Sequence, residues 1–164
     1  IPFNIRELVL SIVNTFEFTR LQNKNKVHYH IDEKIPEDLI GDPVRLSQIL
    51  MNLVGNAVKF TENGNVFISV KLQARVEDRS VVYFEVKDDG IGIPKSKQKV
   101  IFEEFSQLKS SNYNYQGTGL GLPIVKRLLE LFDSQIHLKS KEGEGSLFCF
   151  SLSLKDPRKR FIYK

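Results

Sequence analysis

Tryptophan is absent from these 164 residues, and cysteine and methionine occur once each. With Cys149 alone no internal disulfide can form, so burial must hold the fold together, and the usage fits a reducing compartment such as the cytoplasm. In the strand-like run SLFCFSLSL, Cys149 is expected to be a small core residue. No apolar run reaches the length of a membrane span, and no signal-peptide pattern opens the chain. It starts at Ile1 without an initiator Met, and is expected to be a piece of a longer protein. The excess of one sign of charge is also small. A net charge of +4 and a pI near 9.1 suit an anionic ligand, but the basic residues are spread out, which argues against nucleic acid as a partner. The one dense basic run, Lys155 to Lys164, reads as a solvated tail. Residues 1–155 are therefore expected to form one domain and residues 156–164 a tail or linker, with Asp156-Pro157 marking the boundary. A 41% hydrophobic and 27% charged composition supports a globular domain with a real core.

The most informative stretch is GDPVRLSQILMNLVGNAVKFT, residues 41–61. Asp42 before Pro43 marks a helix start, the carboxylate capping free N–H groups and the proline supplying a preset φ. Asn63-Gly64 marks the stop. Between them Leu46, Ile49, Leu50, Leu53, Ala57 and Phe60 repeat at helical spacing and predict one core-facing side. At about 100° per residue, Gln48, Asn52, Asn56 and Lys59 fall in a stripe roughly 80° wide beside that side. Two carboxamides one turn apart offer oxygens to a cation or N–H donors to an oxyanion, and Lys59 adds positive charge. The pattern suggests a site for a metal-bound polyphosphate.

Along the rest of the chain, Asn4 and Glu7 form a capping-box pattern, and Ile5, Leu8, Val9, Ile12, Val13 and Phe16 predict a helix to about Leu21. Val27, Tyr29 and Ile31 alternate with His28, His30 and Asp32, which predicts a half-buried strand with its histidines on the wet side. Strands are predicted over residues 65–74 and 80–86, joined at Glu77-Asp78, and over 135–140 and 146–154, joined by Glu142-Gly143-Glu144-Gly145. The run Lys87-Asp88-Asp89-Gly90-Ile91-Gly92-Ile93-Pro94 follows the second strand. Alternate glycines let the backbone approach a flat ligand, and Asp88 can accept a hydrogen bond from an amino group, although Asp-Asp-Gly is also an ordinary turn. From Lys95 to Gln116 periodicity fades, which predicts a long functional loop with Phe102 and Phe105 as its apolar anchors. Gly117-Thr118-Gly119-Leu120-Gly121 then leads into a helix and offers an anion its free N–H groups. It lacks the Gly-Lys-Ser/Thr of a phosphate-binding Walker loop.

Four stretches in this order, LSQILMNLVGNAVKFT, VKDDGIGIP, IFEEFSQ and GTGLGLPIV, resemble the boxes of the histidine kinase catalytic and ATP-binding domain. That domain is part of the wider family that includes DNA gyrase, the Hsp90 chaperones and the MutL repair proteins. The resemblance covers nearly the whole chain, and the GDPVRLSQIL lead-in looks most like hybrid sensor kinases. It implies an α+β fold, a two-layer α/β sandwich with a mixed, mostly antiparallel sheet under three main helices and an ATP lid. It further implies ATP and Mg²⁺ as ligands. Asn56 would ligate the metal, Asn52 and Lys59 would contact phosphates, and Asp88 would accept the adenine amino group. Gly90, Gly92 and Ile93 would shape the adenine pocket, Phe102 and Phe105 would anchor the lid, and Gly117, Thr118, Gly119, Leu120 and Gly121 would frame the triphosphate.

The relatives that hydrolyse ATP carry Glu where this chain has Asn52, and an amide cannot take a proton from water. Transfer to a protein acceptor is therefore expected over hydrolysis. None of His28, His30 or His137 precedes an acidic residue, so the acceptor His is expected on an upstream dimerisation domain of a homodimeric parent. A receiver domain is expected as a further partner. A nucleotide-driven conformational machine, a kinase acting on Ser and a binding module without transfer remain the alternatives.

Overall fold

The computed structural model describes residues 1–103 and 121–157. Two short strands, β1 (Pro2–Phe3) and β3 (Leu39–Ile40), pair antiparallel at one margin. Between them α1 (Ile5–Thr15) starts where Asn4 accepts the Glu7 N–H at 3.0 Å. The helix predicted to reach Leu21 is instead two. The chain bends at Phe16 (φ −99°, ψ 11°) and resumes as α2 (Glu17–Gln22). The apolar period runs through this point, but the Phe16 ring is seated against Gly55, where an added methyl would lie 3.0 Å from it. That long-range contact overrides the local period. α2 buries no residue and leaves Phe18 and Leu21 exposed.

The strand β2 (Lys26–Ile31) follows, then α3 (Pro43–Lys59), whose start is as expected: Asp42 accepts the Arg45 N–H at 3.2 Å, with Pro43 in the first turn. The regular helix closes at Phe60, ahead of the Asn63-Gly64 stop, where Asn63 takes a left-handed φ of 52°. Its buried surface includes Val54 and Val58 besides the predicted Leu46, Ile49, Leu50, Leu53 and Ala57, while Phe60 is only half-buried. A helix flanked by neighbours on both sides and floored by a sheet needs a wider apolar surface than a single stripe.

The hairpin β4 (Asn65–Val76) and β5 (Arg79–Asp88) turns at Glu77, and after α4 (Gly121–Leu131) the hairpin β6 (His137–Lys141) and β7 (Gly145–Lys155) completes the sheet. The seven strands run β1-β3-β7-β5-β4-β2, with β6 beside the other end of β7. Every pairing is antiparallel except β2 with β4. The helices cover one face, α3 in the middle with α1 and α4 packed on it. Val66, Ile68, Val70, Val82, Phe84, Val86, Phe148, Phe150, Leu152 and Leu154 meet them from the sheet. This is the expected α+β two-layer sandwich with a mixed, mostly antiparallel sheet.

Strand alternation sends Phe148 and Phe150 into that core. Cys149 consequently falls on the opposite, open face, half-buried near Tyr83, and is not the core residue expected of it. Asp156, placed by sequence at the start of the tail, is 1% exposed and paired with Arg75 at 2.8 Å, which ties it to the folded unit. No helix among the described residues is long and apolar enough to cross a membrane.

Candidate functional site

A cleft opens between α3, the segment after β5 and the start of α4. Its walls are Ala57, Phe60, Ile91, Gly92, Ile93, Ile101, Leu122 and Phe148, and its polar groups are Asn56, Asp88 and Ser146. An apolar slot with a few converging polar groups suits a flat, partly polar ligand.

Asp88 closes β5 from inside the cleft. Of the two adjacent carboxylates it is the buried one, 8% exposed. Asp89 points away and serves the chain, accepting the Asn65 N–H at 2.7 Å and the Asn65 Nδ2 at 3.1 Å. Burial pushes the Asp88 carboxyl up to about 6, against the pull of the Gly90 and Ser146 backbone N–H groups and with a smaller push from Asp89. The Gly90 N–H reaches Asp88 Oδ1 at 2.9 Å.

Sequence drives the shape of the following loop. Gly92 has φ +69° and passes so close to Lys141 O that a side chain has no room. Gln98 Nε2 donates to Ile93 O and to Ser140 O, both at 3.0 Å, and the Ile93 N–H donates to Ser140 Oγ at 2.8 Å. This clamp fixes the loop that lines the cleft to β6.

Asn56, one turn before the end of α3, lines the same cleft as Asp88. Its Nδ2 is buried with no hydrogen-bond partner among the described residues. Leaving a buried amide unpaired costs about 1–3 kcal/mol, so a ligand oxygen at this point would recover that loss. The donor set fits the implied groups: a carboxamide oxygen for a hard cation and its N–H₂ for a phosphate. Asn52, a turn earlier and half-buried, donates from Nδ2 to Gly121 O at 3.3 Å and so touches the start of α4. Lys59 is exposed and lines an adjoining groove with Phe60, Gly90 and Ile91 rather than the cleft itself.

The structure therefore brings together Asn56, Asp88, Gly92 and Ile93, sets Gly90 on the rim with Lys59, and holds Asn52 beside Gly121. Phe102 stands outside the cleft. It meets Phe148 edge-on, centroids 6.3 Å apart, while its neighbour Ile101 supplies the cleft wall. Phe105, Gly117, Thr118, Gly119 and Leu120, with most of the expected lid, lie outside the described residues. Two contributors escaped the sequence reading. Ser146, 8% exposed, is paired across the sheet with Asp88, and its Oγ lies 2.8 Å from Ser140 Oγ. Ile101, in the IFEEFSQ stretch, lies beside the larger Phe102 in sequence and carries no signal that marks it as a cleft residue.

Comparison with known proteins agrees with this geometry. The family described as histidine kinase-, DNA gyrase B- and HSP90-like ATPase matches residues 41–156. Among curated relatives, the signal transduction histidine-protein kinase BarA of Escherichia coli K12 is 37% identical over 94% of this chain and 17% of its own length. Two-component system protein A of Emericella nidulans is 41% identical over 92% of this chain and 23% of its own. The crystal structure of full-length ShkA in complex with AMPPNP superposes with a TM-score of 0.80 at 30% identity, covering 95% of this chain and 31% of that one. The catalytic domain of histidine kinase ThkA gives a TM-score of 0.72 at 26% identity over 98% of both. Fold and cleft together are those of the ATP-binding domain of sensor histidine kinases. The chain belongs to the histidine kinase-, DNA gyrase B- and HSP90-like ATPase family, and it spans about a sixth to a quarter of the length of the two curated relatives named.

Proposed function

We propose that this chain is the catalytic domain of a hybrid sensor histidine kinase, passing the γ-phosphoryl group of ATP to a His on a dimerisation domain elsewhere in a homodimeric parent. One observation carries the reading: a buried carboxylate, Asp88, and an unpartnered buried amide nitrogen, Asn56 Nδ2, line one apolar cleft. Asp88 accepts the adenine amino group, a choice that disfavours guanine, which presents an acceptor at the same ring position. Gly90, Gly92 and Ile93 let the backbone lie against the ring. Asn56 holds Mg²⁺, and Asn52 and Lys59 contact phosphate oxygens. Phe102 and Phe105 anchor the lid, and Gly117, Thr118, Gly119, Leu120 and Gly121 frame the triphosphate. A magnesium ion held by Asn56 would supply positive charge to the phosphoryl oxygens. Positioning and charge are the main demands of phosphoryl transfer, and neutral amides supply the first without binding the metal strongly on their own.

Asn52 decides between transfer and hydrolysis, because its amide cannot serve as base toward water. Residues 1–155, with Asp156 anchored to them by Arg75, act as the catalytic unit and the rest of 156–164 as its exit, with a receiver domain as the onward partner and the cytoplasm as the location. Incubating this chain with radiolabelled ATP, Mg²⁺ and the parent's dimerisation segment should label that segment at its His. Labelling that survives replacement of the His, or none with an intact segment, would contradict the proposal.

A further inference from the structure

Residues 60–64, between α3 and β4, form the seat of the loop that faces the adenine. Phe60 O accepts the Ile91 N–H at 3.2 Å, and a side chain on Gly90 would strike Phe60 O and Thr61 Oγ1, as one on Gly64 would strike Asp89. Where this turn goes, the loop over Gly90 to Gly92 follows.

The turn has a polar problem of its own. Carbonyls in the last turn of a helix have no partner within it, and Thr61 is 1% exposed, so water cannot serve them all. Asn25, just beyond α2 and 2% exposed, meets the need. Its Nδ2 donates to Val58 O at 3.0 Å and Thr61 O at 2.8 Å, and its Oδ1 accepts the Gly64 N–H at 3.1 Å. The Asn25 backbone is itself held, its N–H by Arg20 O at 2.8 Å and its carbonyl by Arg20 Nη1 at 3.1 Å. A carboxamide is a short side chain that donates twice and accepts at once. An aspartate of the same shape accepts only, and would face two carbonyls with negative charge.

On the reading of the cleft as an adenine site, we infer that Asn25 is a positioning residue for nucleotide binding. It touches no nucleotide. It pins residues 60–64 and through them preorganises the Gly90 to Gly92 loop, so that the loop need not be ordered when the ring enters.

The test compares Asn25→Asp with Ile12→Val, a core change in α1 that lowers stability without touching the turn. Asn25→Ser, which keeps one donor, stands in if the aspartate variant fails to fold. Stability is measured by urea titration, affinity for adenosine and for ADP by calorimetry where each variant is fully folded, and the Ile91 amide by hydrogen exchange. The Asn25 variants should lose at least about fivefold in affinity, by the same factor for both ligands, with faster exchange at Ile91, while Ile12→Val binds like the wild type. Asn25 variants that bind like Ile12→Val would overturn the inference, as would a loss confined to ADP. Wild-type protein that binds neither ligand would overturn the adenine reading along with it. Wild-type binding lost in Asp88→Asn but kept in the Asn25 variants would overturn this inference alone.

Discussion

Asp88→Asn separates the two consequences of burying a carboxylate in the cleft. In the folded protein Asp88 titrates near 6, against an ordinary value of 3.8. Between those two values the native state holds the proton more tightly than the unfolded chain, so stability falls as pH rises from about 4 to about 6 and stays lowered above. A gap of about two units corresponds to about 3 kcal/mol. The amide does not titrate and still offers an oxygen to Gly90 N–H, so Asp88→Asn should be the more stable protein at pH 7.5, by about 1–3 kcal/mol, with the advantage vanishing toward pH 4. Binding should move the other way. Replacing a charged acceptor by a neutral amide should weaken adenosine binding at least about tenfold, the strength of one charge-assisted hydrogen bond. Adenosine is the ligand of choice because nucleotide phosphates titrate near the same pH. Wild-type affinity should itself fall about tenfold from pH 7.5 to pH 5 as protons compete for the carboxylate. Urea titrations from pH 4 to 8 and calorimetry over the same range supply both curves. A variant no more stable than wild type at pH 7.5, with adenosine affinity unchanged, would refute the placement of this charge.

Two further outcomes follow from the same cleft. If Asn56 holds the metal as proposed, Asn56→Ala should remove the Mg²⁺ dependence of ATP binding while leaving adenosine binding within about twofold; calorimetry with and without the metal checks both. Gly92→Ala should lower stability by more than about 2 kcal/mol in thermal unfolding, because a left-handed φ and the adjacent Lys141 carbonyl both oppose a side chain.

Local signals in the sequence were read correctly where one segment decides its own structure. Asp42-Pro43 starts α3, Asn4 caps α1 and Glu77 turns the β4–β5 hairpin, because caps and turns involve residues only two to four apart. The choice of Asp88 over Asp89 as the cleft carboxylate came from its place ahead of the alternate glycines, and the structure gives its physical reason: strand alternation buries the first and frees the second to hold Asn65. What stayed hidden depends on partners far along the chain. The break at Phe16 follows from a ring seated on Gly55, Ser146 enters the cleft through its register with Asp88, and Asn25 serves carbonyls more than thirty residues away. Cys149 was misplaced because a continuous apolar run does not reveal which alternate residues face the helices. Ile101 carries no sequence signal of its own beside Phe102 and Phe105, and its place in the cleft wall appears only in the fold.

A crystal structure of this chain with AMPPNP and Mg²⁺ puts the central claim to its most direct trial. It should show the adenine amino group within hydrogen-bond distance of the Asp88 carboxylate and the metal on the Asn56 carboxamide. Nucleotide bound anywhere other than between α3 and the Gly90 to Gly92 loop would contradict the account.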